Sequence, residues 1–157
     1  MNLARAIHFD DSDRNVYHVP ARTGEWCIAG GFEFSNWSEG DLAGKARQAF
    51  ANGWLGLETF GRVTFVAVTR IEPAEREALI AALADHFVQM HGAPSPEAAY
   101  PVATQEIDAM IDLCDGVDAN RVLTVARQLG EAGVTETFRI LDAREAEIEQ
   151  VAVHGEE

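Results

Sequence analysis

The chain has 157 residues, of which 47% are hydrophobic and 24% charged, a composition typical of a single folded domain rather than a disordered or fibrous chain. Its formal net charge of −14, with eleven arginines and one lysine, argues against binding to the phosphate backbone of nucleic acids. The excess of arginine over lysine and the abundance of alanine suggest a bacterial source. Because we find neither an apolar membrane span nor a signal peptide, we expect a cytoplasmic protein with no membrane partner.

The first 34 residues predict strands. Residues 3–9 alternate apolar and polar side chains, residues 10–13 form a polar turn, and residues 16–19 return as a second strand of a hairpin. Large apolar side chains at every second position of residues 25–34 predict a central strand, with a bulge allowed at Gly30.

Helices alternate with a β-rich segment in the middle of the chain. Ser38 followed by Asp41 predicts a helix start, and the apolar spacing continues to Asn52. Residues 62–71 are apolar on both faces and predict an interior strand. Pro73 then begins a helix that ends at Gly92, with an inward stripe of Leu79, Leu83, Phe87 and Met90.

The second half of the chain completes an α+β fold. A helix is predicted up to about Asp115, and residues 121–129 and 134–141 predict a second hairpin. We therefore expect one α+β domain over residues 1–157, with an acidic C-terminal segment from about residue 142. Its sheet is mainly antiparallel, with about five to six strands and about three helices largely on one face. Exposed strand edges in such a sheet favour a homodimer.

The titratable residues predict no metal or cofactor site. Asp11, Asp13 and Asn15 match half of a calcium loop, but Val16 and Arg22 stand where that loop needs glycine and glutamate. Cys27 and Cys114 lack metal-site spacing and read as small buried hydrophobic residues.

The histidines and helix carboxylates give no stronger indication of a metal or catalytic site. The first predicted hairpin allows His8, Asp10 and His18 to meet, and a hydrogen-bonded surface histidine is the favoured interpretation. His86 and His91 are five positions apart, about 140° around a helix, which predicts that they cannot bind one ion. The carboxylates Asp108, Asp112 and Asp115 lie on one side of their helix and are expected to be solvated.

One glycine-rich corner, residues 53–61, is the best candidate for a binding site. Its glycines give the backbone freedom, and it carries the large apolar side chains of Trp54 and Phe60. With Arg47, Glu58 and Arg62 these residues predict an apolar pocket with a polar rim for a small ligand or a partner's anchor residue. The alternative is a structural corner whose aromatic side chains fill the core.

Three stretches carry a resemblance that covers most of the chain. They are His8-Phe9-Asp10-x-Ser12-Asp13-x-x-Val16, Gly24-Glu25-Trp26, and the continuous run from Lys45 to Arg62 that reads KARQAFANGWLGLETFGR. In these stretches the chain resembles a family of small uncharacterised bacterial proteins. The resemblance implies a stand-alone bacterial domain and brings no activity, cofactor or catalytic residue with it.

Two functional hypotheses follow. The first is a non-catalytic accessory or protein-interaction domain, because no catalytic motif is complete and the acidity is uneven. Residues 74–157 carry seventeen acidic and five basic side chains, which favours a partner protein with a basic face. The second is a small-molecule-binding protein or enzyme that uses the glycine-rich corner.

Overall fold

The computed structural model of the protein describes residues 1–9 and 12–141. Within these ranges the strands are β1 (Asn2–Ile7), β2 (Trp26–Ile28), β3 (Trp54–Gly56), β4 (Arg62–Val63), β5 (Phe65–Arg70), β6 (Val122–Gly130) and β7 (Gly133–Leu141). The helices are α1 (Asp13–Val16), α2 (Gly44–Asn52), α3 (Pro73–His91) and α4 (Pro96–Asp115), with short 3-10 turns at Gly31–Phe34 and Glu39–Asp41. The acidic segment predicted from about residue 142 lies outside the described residues.

The strands form one antiparallel sheet in the order β4-β3-β2-β1-β5-β6-β7. This confirms the α+β class. The described residues contain seven strands and four helices, whereas the sequence predicted five or six strands and three helices. The predicted number of strands was too low because β2, β3 and β4 have only two or three residues each, too few for a clear alternation of apolar and polar side chains.

The predicted first hairpin is wrong. Asp13–Val16 forms the short helix α1, and β1 pairs with β2 on one side and with β5 on the other. Both Asp13 and Val16 are buried, so tertiary contacts determine the conformation of this segment and override its local strand-like alternation.

The strand predicted over residues 25–34 is shorter than expected. It stops at Ile28, because Gly30 adopts a left-handed conformation with φ of +71° and the 3-10 turn Gly31–Phe34 follows. The capping box of Ser38 and Asp41 belongs to the second 3-10 turn, so that α2 begins only at Gly44.

The glycine-rich corner is a hairpin rather than a helix-to-strand loop. Trp54 pairs with Val63 and Leu55 pairs with Arg62, which places β3 and β4 at one edge of the sheet. Two residues after β4 the chain enters β5, which lies between β1 and β6. This confirms an interior strand for residues 65–70 of the predicted range 62–71, whereas residues 62–63 form the edge strand β4.

The long helices and the second hairpin agree closely with the sequence. Helix α3 ends at a left-handed Gly92, and it buries Ile80, Leu83, Ala84 and Phe87. Met90, predicted to face inward, is instead 67% exposed. Helix α4 packs on α3 and β1, and β6 and β7 pair along their whole length. Both cysteines are free and buried, as predicted.

The sheet curls so that its two ends approach each other. Four strands separate β3 from β7 in the sheet order, yet the rings of Trp54 and Phe138 stack with their centroids 5.6 Å apart. Helix α2 and the first 3-10 turn lie at this closure, where α2 contacts both β4 and β6. Among the described residues, no helix has the length and apolar character needed to cross a bilayer.

Candidate functional site

A cavity of about 440 Å³ opens beside Phe60, and we call it the Phe60 cavity. Four segments line it: residues 17–19 after α1, the residues around the first 3-10 turn, the first half of α2, and the chain from Phe60 into β4. His91, the last residue of α3, completes the lining. The cavity therefore lies where the curled sheet is closed by short elements rather than over the middle of the sheet.

Close backbone approach shapes one wall of the Phe60 cavity. Phe60 has φ of +55°, and a side chain on Gly61 would lie within 2.5 Å of the carbonyl oxygen of Val19. Glycine at that position lets the Arg62 amide donate to Val19 O at 2.8 Å while Ala21 N donates to Arg62 O at 2.9 Å. These contacts hold residues 17–21 against the start of β4.

Arg62 is the buried cation behind the cavity. Its guanidinium donates to the carbonyl oxygens of Gly53 and Gly30, each at 3.1 Å, and to Glu33 Oε1 at 2.7 Å. The same group lies over the ring of Phe34, 4.5 Å from its centroid. Burial and the nearby Arg127 charge lower the pKa of Arg62 to about 10, so the side chain is still cationic at neutral pH.

Glu33 joins Arg62 to two histidines. Its Oε2 atom lies 3.0 Å from His86 Nε2 and 3.1 Å from His91 Nε2, and each imidazole N–H can donate to it. Burial raises the pKa of the Glu33 carboxyl, but the Arg62 charge and the two histidine hydrogen bonds together lower it below its ordinary value. Glu33 is therefore a carboxylate at neutral pH.

Aromatic contacts fix the two imidazoles. The ring of Phe60 stacks flat on His86 with centroids 3.9 Å apart, and His91 packs edge-on against Phe32 and Phe87. The side chain of His86 is 10% exposed and that of His91 is 31% exposed. The Glu33, His86 and His91 cluster is thus partly open, and its two members Glu33 and His91 line the Phe60 cavity.

A second buried arginine, Arg127, lies where the two ends of the curled sheet approach each other. Arg127 donates to the carbonyl oxygens of Phe50, Gly53 and Ala29, and it pairs with Glu136 at 2.7 Å. Burial lowers the pKa of Arg127, and the hydrogen bond and charge of Glu136 partly offset this decrease. Because Gly53 O accepts from both Arg62 and Arg127, the two guanidinium groups connect the C-cap of α2 to β4 and to β6.

The structure divides the five residues that the sequence proposed as a site. Phe60 and Arg62 line the Phe60 cavity. Trp54 is fully buried against Phe138, and its indole nitrogen has no hydrogen-bond partner among the described residues. Glu58 is paired with Arg22 near the surface, and Arg47 is exposed on α2. None of these last three residues lines the cavity.

The prediction that His86 and His91 cannot approach one ion is wrong. Their ring centroids are 5.2 Å apart, and Glu33 lies within hydrogen-bond distance of both. The helical angle gave the wrong result because it considers α3 alone, whereas Glu33 from another element contacts both imidazoles. Glu33 was missed because 53 and 58 positions separate it from the two histidines.

The remaining predicted clusters are rearranged. His8 lies 3.1 Å from Asp13 Oδ2 and 2.8 Å from Thr23 Oγ1, beside a smaller cavity of about 290 Å³. His18 does not join this group and lines the Phe60 cavity instead. Asp10 and Asp11, which the predictions invoked as possible ligands, lie outside the described residues. Asp108, predicted to be solvated, accepts two hydrogen bonds from Arg76, at 2.9 and 2.8 Å.

Comparison with known proteins gives one match. A family model described as "Family of unknown function (DUF6505)" matches residues 1–157. No curated protein and no solved structure matches the chain. A functional assignment has to come from the geometry of the chain itself.

Proposed function

The chain belongs to DUF6505, a family of unknown function, and we propose that it binds a small molecule in the Phe60 cavity. The single observation behind the proposal is the cavity itself, in which aromatic rings and charged groups converge. Its volume of about 440 Å³ lies within the range of small-molecule sites, roughly 300–1,000 Å³.

The lining suggests the class of ligand. The rings of Phe34, Trp37 and Phe60 offer an apolar surface, and Lys45, the one lysine of the chain, lies at the rim on α2. Arg62 already donates to Glu33 and to backbone carbonyls, so Lys45 is the cation better placed to meet an incoming acidic group. We infer a ligand with an apolar body and a carboxylate or phosphate group.

A thermal-shift screen with small organic acids and phosphates tests the proposal. A ligand present at about 100 times its Kd stabilises the folded state by about 2.7 kcal/mol, which raises the Tm by roughly 5–10 °C. We expect at least one compound to do so, and we expect Lys45→Ala to weaken its binding.

A matched pair of variants locates the site. Ala46→Trp fills the Phe60 cavity, whereas Ala81→Trp adds the same ring in a separate groove between α3 and α4. The stabilising compound should act on the wild type and on Ala81→Trp but not on Ala46→Trp. A library that stabilises none of the three proteins, or that stabilises Ala46→Trp equally well, would contradict the proposal.

The uneven acidity supports a second candidate function, docking to a partner protein with a basic face in a bacterial cytoplasm. The exposed Asp112 and Asp115 lie on α4 together with Asp108. An affinity pull-down at low and moderate salt tests this candidate, because an electrostatic partner should be retained at low salt and released as salt rises. Recovery of no protein at either salt concentration would count against it.

A further inference from the structure

Three groups that metal ions favour meet at the wall of the Phe60 cavity. One ligand atom from each of Glu33, His86 and His91 lies within 4.8 Å of the other two. Glu33 Oε2 is 3.0 Å from His86 Nε2 and 3.1 Å from His91 Nε2. In a tetrahedral zinc site with bonds of 2.0–2.1 Å, neighbouring ligand atoms are about 3.3–3.4 Å apart. The two oxygen–nitrogen distances need shifts of only a few tenths of an ångström to reach that spacing. The two imidazole nitrogens, which lie within 4.8 Å of each other, must approach by up to about 1.4 Å.

The surrounding residues already hold the three groups as the outer shell of a metal site does. Arg62 occupies the Oε1 atom of Glu33 and leaves Oε2 directed at the histidines. Phe60 stacks on His86, and Phe32 and Phe87 contact His91. Hydrogen-bonded carboxylates and oriented imidazoles are typical of protein metal sites, because they fix the direction of each ligand atom.

We propose that Glu33, His86 and His91 bind a divalent transition-metal ion, with Zn²⁺ the first candidate. Two imidazoles and one carboxylate are the ligand set of catalytic zinc sites, which keep a further position for water or substrate. Since Glu33 and His91 line the Phe60 cavity, that further position faces the cavity. The inference goes beyond the proposed function and does not require an organic ligand.

Charge and proton balance allow the binding. The net charge of −14 on the whole chain favours the addition of a cation, whereas the Arg62 guanidinium on Glu33 Oε1 opposes it, so the metal–ligand bonds must outweigh that repulsion. Before an ion binds, each neutral imidazole donates its single proton from Nε2 to Glu33 Oε2. Binding of the ion at Nε2 moves that proton through solvent to Nδ1, so two hydrogen bonds are exchanged for metal–ligand bonds.

Metal titration of the full chain tests the inference. The protein is stripped with a chelator, then titrated with Co²⁺ while its visible absorption is recorded, and Zn²⁺ is added as competitor. We expect one Co²⁺ per chain with the intense bands of a four- or five-coordinate site, and complete displacement by Zn²⁺. His86→Ala and His91→Ala should each weaken Zn²⁺ binding by more than about 100-fold.

His18→Ala is the matched control, because His18 lines the same cavity but does not belong to the cluster. It should bind Zn²⁺ as the wild type does. His91 lies at the end of α3 and is partly exposed, so its replacement should leave the fold intact by circular dichroism even if Glu33→Gln does not. A wild-type chain that binds no Zn²⁺, or a folded His91→Ala variant with unchanged affinity, would overturn the inference.

Discussion

Arg62 shows how one buried charge is stabilised. Its side chain is 7% exposed, contrary to the sequence expectation of a surface arginine at the rim of the corner. Glu33, two backbone carbonyls and the face of Phe34 surround the guanidinium. A buried ion pair contributes little net stability compared with apolar residues, but removal of one partner leaves the other charge without compensation.

This difference predicts unequal effects for the two arginines proposed as rim residues. Arg62→Ala should lower the free energy of unfolding by about 3–5 kcal/mol, because Glu33 and the carbonyls lose their donor. Arg47→Ala, at an exposed position of α2, should change it by no more than about 0.5 kcal/mol. Urea denaturation measures both, and equal effects would contradict the buried assignment of Arg62.

Trp54 belongs to the core rather than to the cavity, because it is completely buried and stacks on Phe138. Trp54→Ala should lower the free energy of unfolding by about 3–5 kcal/mol. Trp54→Phe should lower it by only about 1–2 kcal/mol, since it keeps an aromatic ring and removes an indole N–H that has no partner among residues 1–9 and 12–141. A loss below about 1 kcal/mol for Trp54→Ala, measured by urea denaturation, would contradict this assignment.

At the scale of elements, the turn Gly31–Phe34 carries Glu33 to the cavity, and Gly30 sets its direction. Gly30 has φ of +71°, and a methyl group on it would lie within 2.4 Å of the Leu55 Cβ atom. Gly24 also has a positive φ, +89°, but a methyl group there would meet no atom of the described part of the chain within 4 Å. Alanine substitutions at these two glycines therefore distinguish the effect of steric crowding from that of backbone strain.

We expect Gly24→Ala to lower the free energy of unfolding by about 1–2 kcal/mol, the cost of a left-handed alanine. Gly30→Ala should lower it by a further 1–3 kcal/mol or so, because the turn must move away from Leu55. Thermal denaturation of both variants measures the difference. Equal losses would show that the turn tolerates the displacement.

The sequence predicted long elements well and short ones poorly. Helices α3 and α4 and the β6–β7 hairpin contain enough residues for their periodicity to be clear. In the first 63 residues, two- and three-residue strands are held together by long-range contacts such as those of Arg62 and Arg127. A local pattern cannot predict contacts of that kind.

For the candidate site, too, the sequence indicated the local part and not the long-range contacts. The glycine-rich corner drew attention to Phe60 and Arg62, because a turn with large side chains is visible in the sequence, and the structure places both at the Phe60 cavity. The groups they meet, Glu33, His86 and His91, come from other elements. Their convergence depends on the packing of α3 against the first 3-10 turn, which no spacing in the sequence records.

At the scale of the whole molecule, the sheet leaves one long strand at its edge. Among residues 1–9 and 12–141, β7 pairs with β6 alone, and it exposes Phe138 and Ile140 by 38% and 50%. An edge of this kind can pair with a second copy of itself. The homodimer therefore stays a prediction, with β7 as its expected contact.

Light scattering at micromolar concentrations should give twice the chain mass of 17.1 kDa. Ile140→Lys should shift the protein to the monomer, because a charge on an edge strand opposes pairing. Val102→Lys, which replaces an exposed apolar residue on α4, is the control and should leave the mass unchanged. A wild-type mass of one chain across the concentration range would contradict the dimer.

The central claim is that the Phe60 cavity is a ligand site, and amide chemical-shift mapping with a library of small organic acids tests it most directly. The account predicts that binding compounds shift one contiguous set of amides, those of residues 17–19, 33–37, 45–49 and 60–62 together with His91. A library that leaves these amides unchanged, or whose members bind only at other surfaces of the chain, would contradict it.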